Sequence, residues 1–306
     1  MTQLRKLMLE ELQRRNYSKT TTRTYLSVVR DFAKHFNKPP DQLGLEEIRQ
    51  YQVHLLEERK LLPKTVCLQT SALRFFFVKV LKRPYPIEEL PYPKGVRRLP
   101  IILSQEEAVA LINSASNLMH RAMLMLLYST GIRRAELCQL KVADIDSQRM
   151  MVHIRQGKGQ KDRDVPLSPA LLETLRAYYR WMQPQTYLFP GTVKGWRTDQ
   201  PITSKVVWEA CREAAQRAGI TKRVSPHLLR HSFATHQLEN GADLPTLQAL
   251  LGHTDLKPTS VYLHLSERHL KAAGTPLDKA TLAPLDQVKR SQSRHPMPQL
   301  TTAGQK

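Results

Sequence analysis

Four short segments of this 306-residue chain set cationic or proton-transferring side chains beside turns: STGIRRAEL (129–137), QGKGQKDRDVPL (156–167), SPHLLRHSFATH (225–236) and LLGHTDLKPTSVYLHL (250–265). In the first, Arg133 follows a glycine turn and opens a helix, where backbone N–H groups already favour an anion. Glu136 lies on the same helical side, where it could hold an arginine. In the second, Lys158 sits between two glycines at a hairpin turn, from which a lysine can swing into a groove and donate a proton. In the third, His227 and Arg230 share one face of a first helical turn. In the fourth, His253 follows the helix-ending Gly252 and precedes Tyr262 by nine residues. Together these types suit cleavage of a phosphodiester, which needs cations around the non-bridging oxygens, a nucleophile, and an acid for the leaving oxygen. Arginine suits the clamp because its planar fork binds two oxygens and stays charged.

Taken singly, each piece has an ordinary reading. Arg133 could be a surface arginine, the glycines beside Lys158 could serve the turn alone, His253 could cap a helix, and Tyr262 could be a half-buried aromatic. His227 and His231 stand at i, i+4 and could bind a metal. Without H-E-x-x-H or a third ligand close in sequence, no metal and no cofactor is expected.

The elements that would position these residues are largely helical. Ser18 caps a helix through TTTRTYLSVVRDFAKHF, whose Tyr25, Val28, Val29, Phe32 and Phe36 recur at helical spacing. LGLEEIRQYQVHLLEERK reads as another helix, and Pro63 opens one through KTVCLQTSALRFFFVKVL with Leu73, Phe76, Phe77 and Val80 on its apolar side. Lys19, Arg23, Arg30, Lys34, Lys64, Arg74, Lys79 and Lys82 interleave with them and read as a nucleic-acid-facing surface in preference to a merely solvated face. Residues 82–103 hold five prolines and cannot be a helix interior, so they read as a linker. Beyond it, SQEE at Ser104 is a capping box. Helices follow at 105–115 and 118–129, and RRAELCQL is a short one. The stretch from Val142 reads as strands with a hairpin turning at GKGQ, followed by helices over SPALLETLRAYYRWM, SKVVWEACREAAQRAG, SPHLLRHSFATHQLENG and DLPTLQALLG. The expected fold is therefore mainly α with a small antiparallel β-sheet (α+β). Residues 1–82 form a helical domain, 83–103 a linker, 104–275 a second domain, and the polar, proline-rich 276–306 a disordered tail.

The totals agree with an anionic partner. Lys plus Arg number 47 against 27 Asp plus Glu, a formal net charge of +20. DNA or RNA is the first candidate and an anionic membrane the second. No apolar run approaches the roughly 20 residues of a spanning helix, and the amphipathic N-terminus lacks the features of a signal peptide. Cys67, Cys138 and Cys211 are far apart and read as core thiols in a reducing cytosol.

Arg133, Lys158, His227, Arg230, His253 and Tyr262 occur in this order, with spacings of 3, 23 and 9 residues across the last four. In TGIRRAEL, GKGQKDRDVPL, HLLRHSFATH, LLGH and VYLHL the chain closely resembles the tyrosine recombinases, or phage-type integrases, and within them the Xer-like group. The resemblance covers nearly the whole chain, with a helical core-binding domain ahead of a catalytic one. It implies site-specific DNA recombination through a 3′-phosphotyrosyl link and a Holliday junction, without metal or ATP, for mobile-element integration or excision or for chromosome or plasmid resolution. Tyr262 would be the nucleophile, Arg133 and Arg230 the phosphate clamp, and Lys158 the general acid. His227 would assist proton transfer at the tyrosine, His253 would bond the scissile phosphate, and Glu136 would support from behind. The implied partners are double-stranded DNA and, on two DNA sites, a homotetramer or a heteromer with a related recombinase, in the cytoplasm. Pro258 and Leu263 stand where threonine is often seen, and neither an arm-binding domain nor a long insertion between the Arg230 and His253 motifs is evident. Two other readings use the same residues: a type IB topoisomerase, which would relax plasmid without a specific site, and a catalytically silent DNA-binding protein, which would form no covalent adduct.

Overall fold

The computed structural model describes residues 2–83, 90–95, 100–155, 162–193 and 196–264. The chain divides into two compact units, Met1–Arg98 and Leu99–Lys306. The GKGQ turn with Lys158, and the expected tail 276–306, lie outside the described residues.

The first unit holds α1 (Gln3–Arg14), α2 (Lys19–Phe36), α3 (Leu45–Glu57), α4 (Pro63–Phe75) and a π-helical turn, Phe76–Val80. Ser18 starts α2 by accepting from the Thr21 N–H at 3.2 Å, and Asn37 ends it in the left-handed conformation. Phe32, Ile48, Leu73, Phe76 and Phe77 fill the core with Met8 and Leu12. Phe32 meets Tyr51 edge-to-face at 5.2 Å. The sequence predicts one α-helix from Pro63 to Leu81, whereas the ladder widens at Phe76. Three successive aromatics, Phe75, Phe76 and Phe77, are buried where the ladder widens. Leu90 joins this core, and Gln52 donates to the Pro91 carbonyl at 3.3 Å, so this part of the proline-rich stretch is packed down. On α2, Lys19, Arg23, Arg30 and Lys34 are exposed.

The second unit begins with α5 (Gln105–Asn113), α6 (Leu118–Thr130) and α7 (Arg134–Gln139), then a three-stranded antiparallel sheet of β1 (Ile145–Asp146), β2 (Met151–Ile154) and β3 (Arg163–Pro166). It continues with α8 (Pro169–Met182), the β4 (Pro190–Val193) and β5 (Trp196–Pro201) hairpin, α9 (Ser204–Arg217), α10 (Pro226–Glu239) and α11 (Leu244–Leu251), and ends in α12 (Lys257–Ser260) and a 3₁₀ turn, Val261–His264. The capping box at Ser104 is formed in both directions with Glu107. Mainly helical architecture with a small antiparallel sheet is what the residue patterns predict; the β4–β5 hairpin is additional. Cys138 and Cys211 are buried, and burial pushes the Cys211 thiol up to about 12, which makes it inert. Among the described residues no helix is long and apolar enough to cross a membrane.

Helix α10 is the axis of the site. Ser225 caps it through the Leu228 N–H and Pro226 fits its first turn. Leu228, Leu229, Arg230, Ser232, Phe233, Ala234, Thr235 and Leu238 are all buried, so it is enclosed on nearly every side. It lies against α6 so closely that a Cβ on Gly131, the left-handed residue ending α6, would fall 2.3 Å from the Phe233 ring. Only glycine meets both requirements there.

Candidate active site

Three arginines converge on the C-terminal end of α11. Its last carbonyls lack helical partners, and each goes to a different guanidinium. Arg163 Nε donates to the Leu250 carbonyl at 2.9 Å, Arg230 Nη2 to Leu251 at 2.7 Å, and Arg133 Nη2 to Gly252 at 3.1 Å. Arg230 Nη1 also donates to the Gly131 carbonyl at 2.6 Å, at the end of α6. Two helix C-termini thus present their negative dipole ends to Arg230, which explains how a cation survives at 3% exposure. Burial and the neighbouring Arg133 pull its pKa down to about 10, against the pull of Glu136 and Tyr262, so it stays charged at neutral pH.

Glu136 stands behind this cluster. Its carboxylate accepts from the Arg133 backbone N–H at 2.8 Å, from Arg133 Nη1 at 2.7 Å and from Arg163 Nη2 at 2.7 Å. Burial alone would raise its pKa, but the hydrogen bonds and charges of Arg163 and Arg133 outweigh that and hold it at about 2.

His253 follows the left-handed Gly252. Its Nε2 lies 3.1 Å from Arg230 Nη2, which can only donate, so Nε2 accepts. The proton is then on Nδ1, which donates to Thr259 Oγ1 at 2.9 Å. Arg133, Arg230 and His253 are therefore brought together at one helix end.

Tyr262 is 3% exposed and packs with Phe233, Leu238, Leu247 and Leu251. Of its two apolar neighbours, Leu263 packs against this cluster while Val261 is exposed. Its hydroxyl meets His231 Nδ1 at 2.9 Å. Burial, with His227 and Arg230, drives the His231 pKa down to about 4, so the ring is neutral at pH 7. Burial also raises the Tyr262 pKa, while Arg230 and Arg133 draw it back. His227 is exposed on the first turn of α10, its ring 5.4 Å from that of His231. In this arrangement the tyrosine hydroxyl rests on His231, with the His227 ring one turn back along α10. Pro258 sits in the first turn of α12, where proline is tolerated.

Sequence reasoning missed two residues. His231 was weighed only as half of a metal pair, and among the described residues no His, Cys, Asp or Glu cluster could hold a metal. Arg163 carried one usable signal: β3 alternates, and Arg163 shares the inward face of the buried Val165.

Known proteins resemble this chain over most of its length. Residues 102–269 match the phage integrase family, and residues 4–87 match the phage integrase N-terminal SAM-like domain. Tyrosine recombinase XerA of Pyrococcus furiosus is 34% identical over 277 residues, covering 88% of this chain and 93% of its own. A protein provisionally named integrase/recombinase y4qK, of Sinorhizobium fredii, is 48% identical over 279 residues, covering 91% of this chain and 89% of its own. Among solved structures, a lambda integrase tetramer bound to a Holliday junction matches with a TM-score of 0.68 at 19% identity, over 90% of this chain and 78% of that one. That last likeness concerns the fold. The chain belongs to the phage integrase family, the tyrosine recombinases. It is a site-specific recombinase with Xer-type relatives, an enzyme that breaks and rejoins DNA strands.

Proposed function

We propose that the chain recombines duplex DNA by covalent catalysis at Tyr262. The Tyr262 oxygen attacks the scissile phosphorus, and its proton passes to the His227 imidazole as the Oη–P bond forms. The P–O5′ bond breaks, and Lys158 protonates the departing 5′ oxygen. A 5′-hydroxyl from a second duplex then attacks the phosphotyrosyl bond and the tyrosine leaves. Each step trades one phosphate ester for another, so no ATP is required. Arg133 and Arg230 receive the non-bridging oxygens, and their fixed charge replaces the metal ions of other phosphoryl-transfer sites. His253 parts from Arg230 and, with its ring proton on Nε2 instead of Nδ1, donates to the phosphate, and His227 assists proton movement at the tyrosine.

The observation that carries this reading is the convergence of Arg133, Arg230 and His253 on one helix end, with Tyr262 packed against the same elements. The hydroxyl on His231 and the 3% exposure describe a stowed nucleophile. Attack requires the Val261–His264 turn to leave the Phe233–Leu251 cluster. We assign residues 1–82 as the DNA-clamping core-binding domain and 104–275 as the catalytic domain. The working assembly is a homotetramer on two duplexes passing through a Holliday junction, a reading supported by the lambda integrase tetramer bound to a Holliday junction. Strand joining between two labelled duplexes tests this. Wild type is expected to give joined product and a Holliday junction, and Tyr262→Phe neither. Site-independent plasmid relaxation without joining would contradict the recombinase reading and favour a topoisomerase.

A further inference from the structure

We infer that Arg163 is a positioning residue for the phosphate clamp: it balances the Glu136 carboxylate, so that Glu136 does not offset the charge of Arg133 and Arg133 holds its orientation for the scissile phosphate. The inference rests on the recombinase reading above.

Glu136 is shared. Arg133 approaches Oε1 at 2.7 Å, and Arg163 reaches both oxygens, Oε1 at 3.2 Å and Oε2 at 2.7 Å. The arginine side chains are 20% and 9% exposed and that of Glu136 is 6% exposed, so water screens the trio poorly. Two guanidiniums and one carboxylate leave one net positive charge. Without Arg163, Arg133 and Glu136 would form a closed neutral pair, and the clamp would lose charge where the transition state develops negative charge. Arg163 also fixes the geometry. Its Nε ties β3 to the Leu250 carbonyl, while Gly252, which accepts from Arg133, lies so close that a Cβ there would be 3.0 Å from Arg163 Nη1. One side chain thus joins β3, α7 and the end of α11.

A double-mutant cycle separates charge balance from plain structural support. The readout is the rate of covalent adduct formation on a nicked suicide duplex, with DNA binding and thermal unfolding followed alongside. Arg163→Gln is expected to lower the cleavage rate about 100-fold, the scale of losing one transition-state donor, with binding within about threefold. Glu136→Gln is expected to cost about tenfold through looser positioning of Arg133. The double variant again leaves Arg133 as an unopposed cation, so it is expected to cleave about tenfold faster than Arg163→Gln alone, where independent losses would multiply to about 1,000-fold. Arg163→Lys keeps the charge without the fork, and its loss should not exceed about tenfold. An Arg163→Gln rate within about threefold of wild type would overturn the inference, as would multiplicative losses in the double variant. An Arg163→Lys loss equal to that of Arg163→Gln would also overturn it, and where Arg163→Gln yields no folded chain, an Arg163→Lys loss well beyond about tenfold would do so. A wild-type chain that forms no adduct would instead overturn the recombinase reading itself.

Discussion

Arg230 keeps a charge in a dry place because each of these bonds ends on an acceptor: two backbone carbonyls and the Nε2 of His253. Lysine, a single compact ammonium, cannot span the Gly131 and Leu251 carbonyls while also reaching His253. Arg230→Lys is therefore expected to slow adduct formation by about 10²–10³-fold and to lower stability by about 1–3 kcal/mol through unsatisfied buried carbonyls, measured by single-turnover cleavage and by chemical unfolding. Glu136 gives a pH prediction. Its pKa falls from 4.5 to about 2 on folding, so its stabilisation is complete above the unfolded value and is lost as pH falls through about 2. The interval corresponds to about 3 kcal/mol. Urea unfolding at pH 5 and pH 3 should show wild type losing more stability than Glu136→Gln. Identical losses would contradict the assigned network. At this scale the sequence was informative wherever spacing along one element decides neighbourhood. His227 to Arg230 is one helical turn, and Gly252 to His253 is one helix exit. It was silent where partners come from distant segments: Arg163 reaches Glu136 across 27 residues and His231 reaches Tyr262 across 31.

Among the elements, the two left-handed glycine exits matter most, because each hands a carbonyl to a clamp arginine. Gly131→Ala combines a positive φ with a Cβ 2.3 Å from the Phe233 ring. It is expected to destabilise the second unit by about 2 kcal/mol or more and to depress cleavage by displacing the carbonyl that holds Arg230. Adding Phe233→Ala removes the clash but not the backbone strain, so only part of the cleavage rate should return. Full recovery of both stability and cleavage would show that the conformation of Gly131 is unimportant. Helix starts were the most legible feature, since Ser18, Ser104 and Ser225 announce their caps locally and Pro63 and Pro226 suit first turns. The π-helical turn at Phe76 was not legible, because the core that buries its neighbouring aromatics is made by other helices. The β4–β5 hairpin was likewise missed: its strands are short and polar, with Gly191, Gly195 and the flanking Pro190 and Pro201 as punctuation.

At the scale of the whole molecule, a net charge of +20 belongs to a protein that displaces counterions from a polyanion. If the protein neutralises about six phosphates, affinity for duplex DNA should fall about 10³-fold between about 50 and about 200 mM salt, read by fluorescence anisotropy. Binding that ignores salt would contradict a phosphate-tracking surface on α2 and its neighbours. The bond between Tyr262 and DNA can be read directly by trapping the adduct on a nicked duplex, digesting it, and sequencing both the attached peptide and the DNA end by mass spectrometry. The expected product is a peptide modified at Tyr262, carrying a 3′-phosphate, with a free 5′-hydroxyl on the departing strand. Attachment at another residue, or through a 5′-phosphate, would rule out Tyr262 as the nucleophile of a 3′ link.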